Sequence, residues 1–201
     1  MPLSSRQLQD ILKGQADAIR QLQAIYAAMD ARYAAAADRY GFECRGCDDS
    51  CCLTRFYHHT LVELVGLFSG YLTLSEDERR RVTQNAQAYC QAVSEDERHN
   101  RRTRHLCPLN RDTQCLLYQE RPMICRLHGI PHIMRHPYKG LITGPGCHIF
   151  EATSQPVGGS PLDRTPHYIA LANLERALRK TTEIESPVRL TIAQMIVCFE
   201  T

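Results

Sequence analysis

The sequence predicts a mainly α-helical protein whose helices surround a loop-rich region of cysteines. Apolar residues recur at helical spacing over the first forty residues, and nine of the ten cysteines fall between positions 44 and 147. We therefore expect a long N-terminal helix, further helices around a cysteine-ligated metal region, and a C-terminal helix. A chain of 201 residues with 43% hydrophobic content can bury one good core.

Three regions follow from this pattern. We expect an N-terminal amphipathic helical arm over residues 1–40 and a cysteine-cluster metal-binding domain over residues 41–160. A C-terminal segment, residues 161–201, is expected to pack on that same domain.

The N-terminal arm carries a long apolar stripe. Its members share spacings of three, four or seven residues: Leu8, Leu12, Ile19, Leu22, Tyr26, Met29, Tyr33 and Tyr40. An unbroken helix from about residue 5 to 39 would be ~50 Å long, more than a domain of this size covers alone. Either the helix breaks near Gly14 and packs on the core, or part of the stripe meets a second copy in a homodimer.

Capping signals place three more helices. Thr60 with Glu63, and Ser75 with Glu78, have the form of capping boxes. They predict a short helix that ends near Gly70 and a longer one that runs to about residue 98. Thr165 and Pro166 begin a third, which runs to about residue 180.

Two stretches give weaker signals. Residues 188–199 are apolar enough to be buried, but their period does not separate helix from strand. Residues 106–160 are dense in Gly and Pro, which predicts loops and short turns.

Charge and hydropathy exclude several classes of function. The 24 basic and 22 acidic residues leave a formal net charge of +2, which argues against a protein that coats nucleic acid. The chain shows neither the apolar run of a signal peptide nor a spanning segment, so we expect a cytoplasmic protein with no membrane partner. A protein partner or substrate remains open.

The cysteines are the strongest chemical signal in the chain. In the reducing cytosol a disulfide framework is the weaker interpretation, and metal binding the stronger. A two-residue spacer between Cys44 and Cys47 lets a tight turn bring both sulfurs to one metal. The candidate ligands are Cys44, Cys47, Cys51, Cys52, Cys107, Cys115, Cys125 and Cys147. The other two, Cys90 and Cys198, are expected to be small buried hydrophobic residues.

The order and flanking residues of these cysteines resemble a known family. The run Cys44-x-x-Cys47-x-x-x-Cys51-Cys52 is followed by Cys107-Pro108-Leu109 and then by Cys115-x-x-Tyr118-x-x-Arg121-Pro122-x-x-Cys125-Arg126. This pattern resembles the YkgJ-like cysteine-cluster family of zinc- or iron-chelating proteins, with Leu117 where that family usually has isoleucine. The resemblance implies eight chelating cysteines, with zinc or iron as the metal, and includes a relative implicated in protein lysine methylation.

The number and identity of the metals stay open at this point. Eight thiols allow two four-thiolate sites, or a single cluster with spare thiols. A four-thiolate centre carries a charge of about −2, which Arg121 and Arg126 are placed to offset as cofactor-binding residues; a substrate anion clamp is the alternative.

Two functions from different classes remain. Because the ligands are more widely spaced than in compact zinc motifs, we favour one or two 4Fe–4S clusters with a redox or protein-modifying role. The alternative is structural zinc in a protein-interaction module that catalyses nothing. The sequence leaves enzyme activity undecided and identifies no catalytic residue.

Overall fold

The computed structural model describes residues 3–44, 51–153 and 160–201, and these residues are mainly helical, as predicted. The helices in chain order are α1 (Ser5–Gly14), α2 (Ala16–Arg39), α3 (Leu61–Tyr71), α4 (Glu76–Arg98), α5 (Met123–Arg126), α6 (His148–Thr153), α7 (Thr165–Thr182) and α8 (Ile192–Phe199). A short 3₁₀ turn, Cys51–Leu53, precedes α3. None of the described helices is long and apolar enough to cross a membrane.

The predicted break in the N-terminal helix is confirmed. The helix α1 ends at Gly14, and α2 begins after Gln15, whose φ of −128° and ψ of 37° are not helical. A capping box between Ser4 and Gln7 fixes the start of α1.

The apolar stripe of these two helices is covered by the chain itself. In α2, Leu22, Tyr26 and Met29 are at most 4% exposed, and the helix contacts α3, α5 and α7. The N-terminal arm is therefore part of one core, and the exposed stripe that suggested a homodimer is not found in the described residues.

Helix α3 lies at the centre of that core, and its N-terminus is closed by side chains. Thr60 Oγ1 accepts the Glu63 N–H at 3.3 Å, as the sequence indicated. The N–H groups of Leu61 and Val62 donate to the two carboxylate oxygens of Glu175 on α7, at 2.8 and 2.9 Å. Glu175 thus fixes α7 to the start of α3 while satisfying donors that a helix end leaves free.

The C-terminal segment resolves as a helix that packs on α4. A capping box between Thr191 and Gln194 starts α8, and a second one, between Ser75 and Glu78, starts α4 as predicted. Cys198 on α8 is 6% exposed and Cys90 on α4 packs partly buried against the core, in agreement with their expected role as small hydrophobic residues.

Two small sheets interrupt the region predicted as loops. The strands are β1 (Asn110–Arg111), β2 (Gln114–Cys115), β3 (His132–His136), β4 (Gly140–Gly144) and β5 (Leu162–Asp163). The first two pair antiparallel, while β3 pairs antiparallel with β4 and parallel with β5. The prediction missed the β3–β4 hairpin because the Gly and Pro residues around it mask its short apolar alternation.

The close approach of α2 and α3 gives a stability test. A Cβ at Gly66 would lie 2.5 Å from Leu22 Cδ2, and Leu22 is only 1% exposed, so its side chain has no free space to move into. We expect Gly66→Ala to lower the free energy of unfolding by about 1 to 2 kcal/mol, because the clash outweighs the better helix propensity of alanine. Denaturant unfolding measures this change.

Gly14→Ala is the matched control, because no atom lies within 4 Å of its added Cβ. It should leave stability unchanged or raise it. Equal stability of the two variants would show that α2 and α3 are not this close.

Candidate metal centre

The backbone brings distant cysteines to one place. The Cys107 N–H donates to the carbonyl oxygen of Cys52 at 2.8 Å, which joins two segments more than fifty residues apart in the chain. The Asn110 N–H in turn donates to the Cys107 carbonyl at 2.9 Å, and Asn110 pairs with Cys115 in the β1–β2 hairpin. These bonds place Cys52, Cys107 and Cys115 in one small volume.

The β1–β2 hairpin also directs backbone donors at two sulfurs. Asp112 and Thr113 take φ values of 50° and 67°, as a tight two-residue hairpin turn requires. The Leu109 N–H bonds to the Cys107 thiol and the Leu117 N–H to the Cys115 thiol, and each bond lowers the pKa of its cysteine. Such bonds stabilise the thiolate form that a metal requires.

A fourth thiol joins this group from α5. Burial raises the pKa of Cys125 well above its ordinary value, and the nearby Cys115 and Cys52 thiols raise it further. Burial is also the main cause that raises the pKa of Cys107, and it raises that of Cys115 to about 11. We call Cys52, Cys107, Cys115 and Cys125 the inner thiol group: burial desolvates the last three, and Cys52 lies close enough to raise the pKa of each of them.

Other cysteines lie around Tyr33, on α2. The Tyr33 hydroxyl is buried and has no hydrogen-bond partner among the described residues, and the pKa of Tyr33 is raised first by burial and then by Cys44, Cys147 and Cys51. We call Cys44, Cys51 and Cys147 the outer thiol group. The Cys147 N–H donates to the Gly129 carbonyl at 2.9 Å, which fixes its backbone.

Cys51 links the two groups. A side-chain hydrogen bond to Cys52 is the largest cause that raises the pKa of Cys51, followed by burial, and Cys125 and Cys44 also contribute. The grouping therefore cuts across the order of the chain, because Cys52 lies with cysteines of the second half and Cys147 with cysteines of the first.

The predicted ligand set is tested by its geometry and its chemistry. In residues 3–44, 51–153 and 160–201, no group of three or more His, Cys, Asp or Glu side chains is arranged to hold a metal ion. Cys47 lies outside these residues, and the cysteines within them form no disulfide bond with one another. The donors are the soft sulfur ligands that zinc and iron–sulfur clusters take, so they fit such a group in kind. The eight-cysteine ligand set stays a prediction.

Arg121 lies beside the inner thiol group. Its guanidinium stacks over the Tyr118 ring, 3.4 Å from the ring centroid, and its Nε donates to the Tyr118 carbonyl at 2.9 Å. Its charge lowers the pKa of Cys115 and of Cys125, against the larger effect of burial. This position suits a residue that offsets thiolate charge.

Arg126 points the other way, from α5 towards α2. The residue is 3% exposed; it forms an ion pair with Asp30, and its Nε donates to the Arg121 carbonyl at 2.6 Å. A third nitrogen donates to the Gln119 carbonyl, and the guanidinium lies over the Tyr26 ring, 4.0 Å from its centroid. These contacts give Arg126 a structural role. Its position next to Cys125 in the sequence had suggested a role in binding the cofactor.

The sequence does not indicate that Glu63 contacts the start of α5. Glu63 is 3% exposed, and its carboxylate accepts the Met123 N–H at 2.7 Å and the Thr60 hydroxyl at 2.7 Å. Burial raises the pKa of Glu63, and these hydrogen bonds oppose the rise. Because Met123 is the first residue of α5, Glu63 fixes the turn that carries Cys125. In the sequence, Glu63 is recognisable only as part of the capping signal that begins at Thr60. That signal predicts the start of a helix and does not predict the contact with Met123.

The chain matches no protein-family model, no curated protein and no solved structure. What the fold and the site define is a mainly helical protein with a buried, thiol-rich site. Its function has to follow from the chemistry of that site.

The contacts of Arg126 predict a large effect on stability. Arg126→Ala leaves the Arg121 and Gln119 carbonyls without their donor and removes the link between α5 and α2. We expect it to lower the free energy of unfolding by about 3 kcal/mol, measured by chemical denaturation.

Arg20→Ala is the control, because Arg20 pairs with Asp17 on the exposed surface of α2. It should change stability by less than about 0.5 kcal/mol. A comparable loss in both variants would contradict the structural role of Arg126.

Proposed function

We propose that this chain is a thiolate-ligated metal protein, with one or two iron–sulfur clusters that serve a redox or protein-modifying role. The observation that carries the proposal is the inner thiol group, in which four cysteines from distant segments lie close enough to act on one another's pKa and three of them are desolvated by burial. Hydrogen bonds from Leu109 and Leu117 to two of these sulfurs support it. The resemblance of the cysteine pattern to a chelating family points the same way.

Structural packing alone explains this arrangement poorly. A buried cysteine acts as a small apolar residue and needs no backbone donor on its sulfur. Here two sulfurs receive N–H donors and a guanidinium lies beside them, which are features that stabilise negative charge. A bound cation or cluster would offset the mutual repulsion of the thiolates and bring the ligands together.

Each element of the site has a role in this proposal. The inner thiol group would hold the metal, with the outer thiol group available for a second centre. The Leu109 and Leu117 amides and the Arg121 guanidinium stabilise charge on sulfur, and Glu63 fixes Cys125 in place. When bound, an iron–sulfur cluster would supply one-electron transfer.

Structural zinc in a protein-interaction module is the second candidate, and one observation favours it. Leu106 and Tyr118 are 49% and 54% exposed, and they lie in sequence next to Cys107 and close to Cys115. Large exposed apolar side chains beside a rigid site are typical of a surface that binds another protein.

Metal analysis of anaerobically purified protein separates the two candidates. An iron–sulfur protein is expected to contain iron and acid-labile sulfide and to absorb broadly in the visible range, whereas zinc is colourless. Cys125→Ala should lose most of the bound metal because it removes a central ligand.

The matched control is Cys90→Ala, since Cys90 lies on α4 apart from both thiol groups; it should retain the metal. Stoichiometric zinc in a colourless protein that resists reconstitution with iron and sulfide would overturn the iron proposal. Absence of any bound metal, together with failure to take up zinc or iron, would overturn both candidates.

Removal of the metal should loosen the site more than the core. A chelator is expected to speed amide hydrogen exchange in the β1–β2 hairpin and in α5, because both carry candidate ligands that a bound metal would restrain. Helices α3 and α7, joined through Glu175, should keep their protection. Hydrogen-exchange mass spectrometry with and without chelator measures this, and identical exchange in the two states would contradict a structural role for metal.

A further inference from the structure

A second site lies at the start of α7, where Arg164 is buried. The residue is 5% exposed, and one terminal nitrogen donates to the Leu127 carbonyl. Its backbone N–H donates to the Ile133 carbonyl at 2.9 Å. Its Nε is buried and makes no hydrogen bond within the described structure.

The side chains that act on Arg164 include no carboxylate among the described residues. Burial lowers the pKa of Arg164, and the groups that raise it are the hydroxyls of Tyr168 and Tyr33. The nearest acid in sequence, Asp163, instead accepts the Thr165 N–H at 2.9 Å. An arginine keeps its proton in proteins, so within the described residues this buried guanidinium has no anion that offsets its charge.

Two histidines complete the cluster. Burial is the main cause that lowers the pKa of both His128 and His132, and the Arg164 charge adds to it, which places both rings near the guanidinium. His132 Nδ1 is buried and, like Arg164 Nε, has no hydrogen-bond partner in the described structure. The cluster therefore offers nitrogen groups from β3, from the residue that precedes α7 and from the segment after α5, and no acid of the described residues pairs with them.

Close backbone approaches hold this cluster in place. The His132 ring lies against Gly144 on β4, where a Cβ would come within 2.8 Å of Nε2. Gly129 has a φ of +116°, and a Cβ there would lie 2.7 Å from the Tyr33 hydroxyl. A side chain at position 144 would collide with the His132 ring, and one at position 129 with the Tyr33 hydroxyl. Both positions therefore require glycine.

We propose that Arg164, His132 and His128 bind a small oxyanion, the phosphate or carboxylate group of a small-molecule ligand. The planar guanidinium fits either group through paired hydrogen bonds, and the orphaned Arg164 Nε and His132 Nδ1 gain partners. Tyr33 lies near both Arg164 and the outer thiol group, because it raises the pKa of Arg164 and the outer thiols raise its own pKa. A bound anion would thus lie beside the proposed metal centre; only this last consequence rests on the proposed function.

Titration calorimetry of the full chain with inorganic phosphate, and separately with acetate, tests the proposal. We expect saturable binding of at least one anion, and the comparison tells phosphate from carboxylate recognition. Arg164→Gln should weaken binding about 10- to 100-fold, the effect of losing hydrogen bonds to a charged group. Arg164→Lys keeps the charge without the planar fork and should bind with intermediate affinity.

The matched control is Arg176→Gln, since Arg176 is exposed on the same helix and bonds to Asn173. It should bind the anion as the unmodified chain does. If Arg164→Gln does not fold, as judged by circular dichroism, His132→Ala tests the same site from the sheet and should also weaken binding.

Two outcomes would overturn the proposal. One is that the unmodified chain binds neither anion saturably. The other is that Arg164→Gln, while folded, binds as tightly as the control. A chain that carries no metal, fails to take up zinc or iron and still binds the anion through Arg164 would support this site while refuting the proposed function, so the two failures are distinguishable.

Discussion

The buried start of α3 is the interaction on which the rest of the structure depends. Two carboxylates meet there: Glu175 accepts the first two N–H groups of α3, and Glu63 accepts the first N–H of α5. The N-terminal end of α3 thus contacts α7 through Glu175 and the turn that carries Cys125 through Glu63. Because buried carboxylates are costly without donors, loss of either contact would leave a core carboxyl group with fewer of the hydrogen bonds that offset its burial.

Arg126 gives the same turn a second attachment, this time to α2. Its ion pair with Asp30 and its stacking on Tyr26 join α5 to the N-terminal helices. Cys125 is consequently positioned by helix packing, whereas Cys107 and Cys115 are positioned by a hairpin. The thiol-rich site is therefore built between rigid elements, which suits a site that must keep its shape.

Local signals carried most of what could be predicted from the sequence. The capping residue Ser75, the proline start of α7 and the break near Gly14 are contained within a few residues each, and all three agree with the structure. The segments that hold the candidate ligands also follow from cysteine content alone. Mainly helical architecture was predictable for the same reason, since helices form from contacts three and four residues apart.

What could not be predicted depends on contacts between distant segments. The second role of Glu63 needs α5 to lie above it, sixty residues further along the chain. The direction of Arg126 depends on where α2 passes, and the β3–β4 hairpin is stabilised by pairing with β5. The same limit hid Arg164, because its lack of an acidic partner is visible only when its neighbours are known.

The adjacency of Cys51 and Cys52 has a mechanical consequence. One residue lies with the outer thiols and the next with the inner ones, so a single peptide unit, about 3.8 Å between Cα atoms, joins the two halves of the site. A backbone shift in one half would therefore displace the backbone of the other. Occupation of one half would then preorganise its neighbour, so loading would proceed as a coupled event with a concentration dependence steeper than that of independent sites.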